Sequence, residues 1–200
     1  MDLLTDGPAD AASTLVLAHG AGGPMRSAFL ATVARGLGKR GVRVVRFEFP
    51  YMAAKRKAPD REPVLLDAWR AVVAELGGGA ALFIGGKSMG GRMASMVADE
   101  LGVRGLVCLG YPFHPPGKPE RTRTKHLETL RTPALIVQGE RDPFGTREDV
   151  AGYALSPSIA IEWLPDGDHS FKPRASSGTT EAANLERAIE ATAAFVGSRG

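Results

Sequence analysis

One cysteine, Cys108, stands in the 200 residues, which excludes an internal disulfide and any Cys-rich zinc site. It lies inside the apolar run Leu106-Val107-Cys108-Leu109, where a small buried core residue is favoured over a reactive thiol. Aromatic residues are scarce at 6% and the net charge is only +3. The concentrated basic face with interleaved aromatics that nucleic-acid binding calls for is therefore missing. No apolar run approaches membrane-spanning length. The N-terminus, Met1-Asp2-Leu3-Leu4-Thr5-Asp6, has acids where a signal peptide carries lysine or arginine. These absences point to a soluble, cytoplasmic protein with neither a membrane nor a nucleic acid as partner.

What the chain has in quantity is apolar residues (44%), glycine (25) and proline (14). That balance suits one sizeable core with many tight connections, and predicts a single domain over residues 1–200. Short, continuous apolar runs, the pattern of strands buried on both faces, predict strands at 14–18, 42–49, 80–84, 104–109, 133–138 and 159–164. A short edge strand is expected at 2–5. Helical spacing predicts helices over 25–39, 64–76, 89–101, 147–154 and 180–196, with a short one around 125–130. Residues 51–63 read as a polar, basic loop, and 110–119, with four prolines, as another loop. Strands alternating with helices at this spacing give an α/β fold whose mainly parallel sheet is covered on both faces. No internal repeat and no linker divides the chain.

The chemistry centres on Gly85-Gly86-Lys87-Ser88-Met89-Gly90-Gly91, at the junction of a predicted strand and helix. Gly86, Ser88 and Gly90 form Gly-x-Ser-x-Gly, a candidate nucleophile elbow, in which a serine on a sharp turn needs small residues two before and two after it. Gly86-Lys87-Ser88 is also how a P-loop ends, but that motif needs a glycine at position 81, which is alanine. A dinucleotide fingerprint at His19-Gly20-Ala21-Gly22-Gly23 fails likewise, since its third glycine would fall on Met25. Polar residues at the expected carboxyl ends of the strands are His19, Ser88, Asp142 and His169, and function gathers at those ends in open α/β sheets. A serine hydroxyl is a poor nucleophile at neutral pH. It needs an imidazole to take its proton and a carboxylate to hold the imidazole.

Four blocks, His19-Gly20-Ala21-Gly22, Gly86 to Arg92, Gln138 to Gly145 and Gly167-Asp168-His169-Ser170-Phe171, resemble an α/β-hydrolase family of compact bacterial predicted hydrolases. They are also similar to dienelactone-hydrolase-like enzymes, although dienelactone hydrolases proper use a cysteine nucleophile where this chain has Ser88. The resemblance spans roughly residues 14 to 196. It implies the α/β-hydrolase fold with a six- to seven-stranded sheet, and no stretch between the expected elements is long enough for a separate cap domain. It further implies Ser88 as nucleophile, Asp142 as acid and His169 as base, with the backbone N–H groups of Met89 and Ala21 as oxyanion hole. The expected activity is serine hydrolysis of an ester, thioester or similar acyl bond, with no metal or cofactor. The same fingerprint resembles the hydrolase-fold subunit of a nuclear acetyltransferase complex, so a non-catalytic interaction scaffold is the alternative.

Each residue has a rival reading. Ser88 competes with a role as helix N-cap, Asp142 with Glu140 and Asp149, and His169 with His114 and His126. His19 is read as a brace of the loop holding Gly20 and Gly22 rather than as a base. Lys87 and Arg92 are read as exposed charges without a catalytic role. Two basic loops, one with Lys55, Arg56, Lys57 and Arg61, the other with Lys118, Arg121, Arg123 and Lys125, are either solvated surface or steer an anionic acyl substrate.

Overall fold

The computed structural model describes residues 1–199. Seven strands, β1 (Leu3–Asp6), β2 (Thr14–Ala18), β3 (Arg43–Phe47), β4 (Leu82–Lys87), β5 (Gly105–Leu109), β6 (Ala134–Gly139) and β7 (Ile159–Leu164), form one sheet. Its spatial order is β1-β3-β2-β4-β5-β6-β7, and every pair is parallel except β1 with β3. The helices are α1 (Ala28–Gly38), α2 (Pro50–Ala53), α3 (Glu62–Glu75), α4 (Met89–Leu101), α5 (Arg147–Ala151) and α6 (Glu181–Gly197).

The apolar runs split by alternation into two cores. Val16, Ala18, Ile84, Cys108 and Ile136 face one side, where α3 and α4 bring Trp69, Val72 and Met93. Leu15, Leu17, Phe83, Val107 and Leu135 face the other, where α1 and α6 bring Leu30, Leu37, Ile189 and Val196. Because both faces are covered, both phases of each strand must be apolar, which is why the runs are continuous. Cys108 is a buried core residue, as expected, and burial pushes its thiol pKa up.

The structure differs from expectation in several places: β4 runs Leu82–Lys87 rather than 80–84, after a 3₁₀ turn at Gly79–Ala81, and α3 takes in Glu62 and Pro63, expected in the loop before it. Helix α1 begins at Ala28 rather than Met25, because Pro24 starts a turn in which its carbonyl accepts the Ser27 N–H at 3.0 Å. Pro50 opens the short helix α2 instead of leading into loop, since the first helical turn needs no N–H from that position. Around 125–130 only a 3₁₀ turn, Lys125–Leu127, forms. None of the described residues builds a cap domain over the sheet, and no helix among them is long and apolar enough to cross a membrane.

From β2 the chain passes to β3 on one side and then to β4 on the other, so the strand order reverses at β2 and β4. A crevice opens at the carboxyl ends of the strands at such a point. There the turn between β4 and α4 presses on the end of β2. A β-carbon on Gly86 would lie 2.3 Å from the Ala18 oxygen, and one on Gly90 2.6 Å from the His19 oxygen. Helix propensity alone would make Gly90→Ala stabilising by about 1 kcal/mol. The backbone clash reverses that sign, and the variant is expected to lose ~1–3 kcal/mol, read as a lower urea midpoint at unchanged slope.

Candidate active site

Ser88 sits between β4 and α4 with φ 50° and ψ −116°, a conformation that costs a non-glycine residue ~1–3 kcal/mol. It is held there by its N–H donating to the Leu109 oxygen at 3.1 Å and its oxygen accepting from the Arg92 N–H at 3.0 Å. The side chain makes no capping hydrogen bond. Its Oγ lies 2.8 Å from His169 Nε2, and His169 Nδ1 lies 2.7 Å from Asp142 Oδ2. An ionised carboxylate only accepts, so Nδ1 carries the imidazole proton and Nε2 accepts from the serine hydroxyl.

Asp142 is fully buried. Its Oδ1 accepts the Phe144 N–H at 2.9 Å and its Oδ2 accepts the Gln138 amide at 3.0 Å. Gln138, also fully buried, accepts the Tyr111 N–H at 2.7 Å through Oε1. This amide holds the carboxylate loop to the end of β5. It was missed in the sequence, although a lone glutamine inside the apolar strand β6 is a visible signal. The loops after β6 and β7 meet at Gly139, where a β-carbon would lie 2.4 Å from both the Gly167 and Asp168 oxygens. That approach brings Asp142 to His169, whose ring packs on Phe144 at 4.3 Å.

The rival side chains are occupied elsewhere. Asp149 forms a capping box with Thr146 at the start of α5, and Glu140 pairs with Arg147 at 2.9 Å. Asp166 and Asp168 shape the turn before His169. Asp168 Oδ1 accepts the Ser170 and Lys172 N–H groups, and the Arg174 guanidinium holds the Asp166 carboxyl down at about 2. His114 reaches Asp149 at 3.4 Å, and His126 bonds to Ser95 Oγ at 2.8 Å.

His19, with no solvent exposure, accepts the Phe49 N–H through Nε2 at 3.1 Å and donates from Nδ1 to the Gly20 oxygen at 2.7 Å. Burial lowers its proton affinity, which keeps the ring neutral and able to do both. Tyr51 adds a hydroxyl bond to the Ala21 oxygen at 2.9 Å. The loop from Gly20 to Gly22 is thereby held over the elbow, where a β-carbon at Gly20 would lie 3.6 Å from Ser88 Cβ. The N–H groups of Ala21 and Met89 donate no hydrogen bond among the described residues.

Lys87 departs from expectation. It is not a free surface charge: its ammonium donates to the His169 backbone oxygen and lies 5.4 Å from the Phe29 ring and 5.8 Å from that of Phe171. Arg92 does point away from the site, pairing with Glu62 of α3 at 2.9 Å.

A cavity of about 380 Å³ opens over Ser88 and His169, walled by Phe29, Leu30 and Phe144. A second, of about 590 Å³, shares Ala21 and Gly22 with it and is bordered by Met52, Lys55, Arg56, Lys57 and the acidic Glu48. The other basic loop, with Lys118, Arg121, Arg123 and Lys125, borders neither.

A parallel sheet crossed by helices on both faces, with the nucleophile-elbow turn after its fourth strand, defines the α/β-hydrolase fold. The chain belongs to the alpha/beta hydrolase domain family, whose pattern matches residues 11–197. It is similar in structure to a serine hydrolase without lid from Xanthomonas campestris, at 21% identity and a TM-score of 0.74, over 98% of this chain and 88% of that one. An alpha-beta serine hydrolase homologue from Coxiella burnetii matches at 19% identity and a TM-score of 0.73, over 99% and 91% of the two chains. Est1E from Butyrivibrio proteoclasticus, solved with ferulic acid bound, matches at 17% and 0.74, over 99% and 94%.

Burial foremost, then the Arg92 charge, pushes His126 down to about 4 from 6.5. The unfolded chain therefore binds a proton that the folded one refuses between those values, and stability falls as pH drops through that window. Urea midpoints at pH 7 and pH 5 are expected to show the loss, and His126→Gln to reduce its slope.

Proposed function

We propose that the chain acts, as one domain, as a serine hydrolase that cleaves an ester, thioester or related acyl bond through an acyl-enzyme. The observation that carries this reading is the unbroken hydrogen-bonded chain from Ser88 Oγ through the His169 ring to a buried carboxylate. In this mechanism His169 Nε2 takes the hydroxyl proton as Ser88 Oγ attacks the carbonyl, and Asp142 stabilises the imidazolium. The carbonyl oxygen becomes an oxyanion facing the N–H groups of Met89 and Ala21. Those donors are already fixed by the helix start and by the Tyr51 and His19 braces, so little reorganisation is needed as charge develops. His169 then gives its proton to the leaving group. A water deprotonated by the same nitrogen attacks the acyl carbon and releases Ser88.

The larger cavity has three basic side chains along it against one carboxylate, Glu48, a balance that favours an anionic substrate. Lys55 and Lys57 border it without an ion pair among the described residues, while Arg56 is neutralised by Asp60 at 2.6 Å. Lys55 holds φ at 57°, which folds the basic triplet back over the cavity behind α2.

A fluorophosphonate probe is expected to label the protein, and Ser88→Ala to abolish labelling. Retained labelling in that variant would overturn the assignment of the nucleophile. On short-chain acyl esters, Asp142→Asn is expected to lower kcat by ~10³-fold or more, since the amide stabilises the wrong tautomer. No turnover of any ester by the unmodified protein would favour the interaction scaffold. The paired change Lys55→Ala with Lys57→Ala should lower the ratio of kcat/KM for a carboxylate-bearing ester to that for its neutral analogue by roughly tenfold, and the preference should weaken with salt.

A further inference from the structure

Lys87 belongs to the elbow block yet has no part in the proposed mechanism, and its surroundings are unusual for a lysine. Its stem runs from the last position of β4 along the wall of the smaller cavity, and its ammonium turns under the loop that carries His169. Glycine at position 110 leaves it room: a β-carbon there would lie 2.8 Å from Lys87 Nζ. The same β-carbon would lie 3.4 Å from His169 Nδ1, so the ammonium and the imidazole flank one point. That brings them within the ~6 Å over which like charges oppose each other. No carboxylate forms an ion pair with Lys87 among the described residues. The charged groups around the two are Asp142, which bonds His169, and Asp168, which acts on the ammonium at longer range.

The loop that receives the ammonium is itself strained. Asp166 and Phe171 both have positive φ, 50° and 71°, values that a non-glycine residue keeps only where its surroundings over-determine it. The Asn184 amide fixes the far end of the loop by donating to the Phe171 oxygen at 2.8 Å, and Lys87 fixes the middle through the His169 oxygen.

We propose, on the serine-hydrolase reading above, that Lys87 is a positioning residue for the base: its ammonium holds the His169 backbone in register with Ser88, and its charge opposes proton uptake by the imidazole. An apolar side chain would fill the same space between Phe29 and Phe171 without desolvating a charge, so the lysine's cost is offset only by its hydrogen bond to the His169 oxygen and by what its charge does. Burial foremost lowers the Lys87 pKa to about 8. Above that pH the amine still donates to the carbonyl but no longer repels the imidazolium.

The test compares the unmodified protein with Lys87→Met and Lys87→Arg, by the pH profile of kcat/KM on a short-chain ester and by NMR titration of the His169 imidazole. Removing the like charge makes protonation of the ring easier. The acid limb of the profile and the imidazole titration are therefore expected to move up by about one pH unit in Lys87→Met, with kcat falling about tenfold and KM little changed. Lys87→Arg, which keeps the charge, should retain the unmodified acid limb. If Lys87→Met does not fold, Lys87→Gln removes the same charge and carries the same expectation. An imidazole titration that stays in place in the neutral variant overturns the proposal, whatever happens to kcat. A titration that moves in a protein without esterase turnover sustains the Lys87 role while sinking the hydrolase reading.

Discussion

The carbonyl oxygens of Ala18 and His19 at the end of β2 leave no room for a side chain at Gly86 or Gly90, and the rest of the site follows from that contact. It forces the chain to leave β4 and enter α4 across a single residue. Ser88 absorbs the whole change of direction in its positive φ, so its hydroxyl projects from the sheet instead of capping the helix. The same pressure sets the loop after β2 directly against the elbow, with His19 tied to Phe49 and Tyr51 tied to Ala21. A rigid strand end, a strained serine and a braced loop are thus one packing event. The strain at Ser88 persists because two parallel strands and a helix, each anchored in the cores, over-determine it.

Electrostatics completes what packing begins. Asp142 is buried without exposure, yet both its oxygens are used, by His169, Gln138 and Phe144. A buried carboxylate with its acceptors filled is tolerated, whereas an unpaired one is not. Lys87 introduces a second charge into the same neighbourhood, held by a carbonyl and two aromatic faces rather than by an acid. The proposed base therefore stands between an anion that its ring bonds and a cation that donates to its backbone oxygen. The adjoining cavity brings Lys55 and Lys57, with Glu48, next to the loop that carries Ala21 and Gly22.

Much of this is legible from the residues. The runs at 14–18, 104–109 and 133–138 read as strands because covering a sheet on both faces demands apolar side chains in both phases. The elbow is legible because only glycine fits at positions 86 and 90. Boundaries are less so: the starts of α1 and α2 depend on whether Pro24 and Pro50 turn the chain or begin a helix, and proline permits either. Gln138 and Lys87 are harder still. A glutamine in an apolar strand announces a buried partner without saying which, and a lysine beside a nucleophile looks like any surface cation until the loop it lies under is known.

The order of residue types along the chain, together with glycine at the two crowded positions, determined the fold and which serine, aspartate and histidine could act together. Both are local requirements of strand burial and backbone space, and local requirements are written in local sequence. Tertiary structure alone decided that Gln138 would clamp Asp142, that Lys87 would turn inward past Gly110, and that one basic loop would border a cavity while the other would not. Those outcomes rest on distances between residues far apart in the chain, such as Lys87 and His169. Such distances are set by how the sheet stacks its strand ends, which no single stretch of sequence encodes.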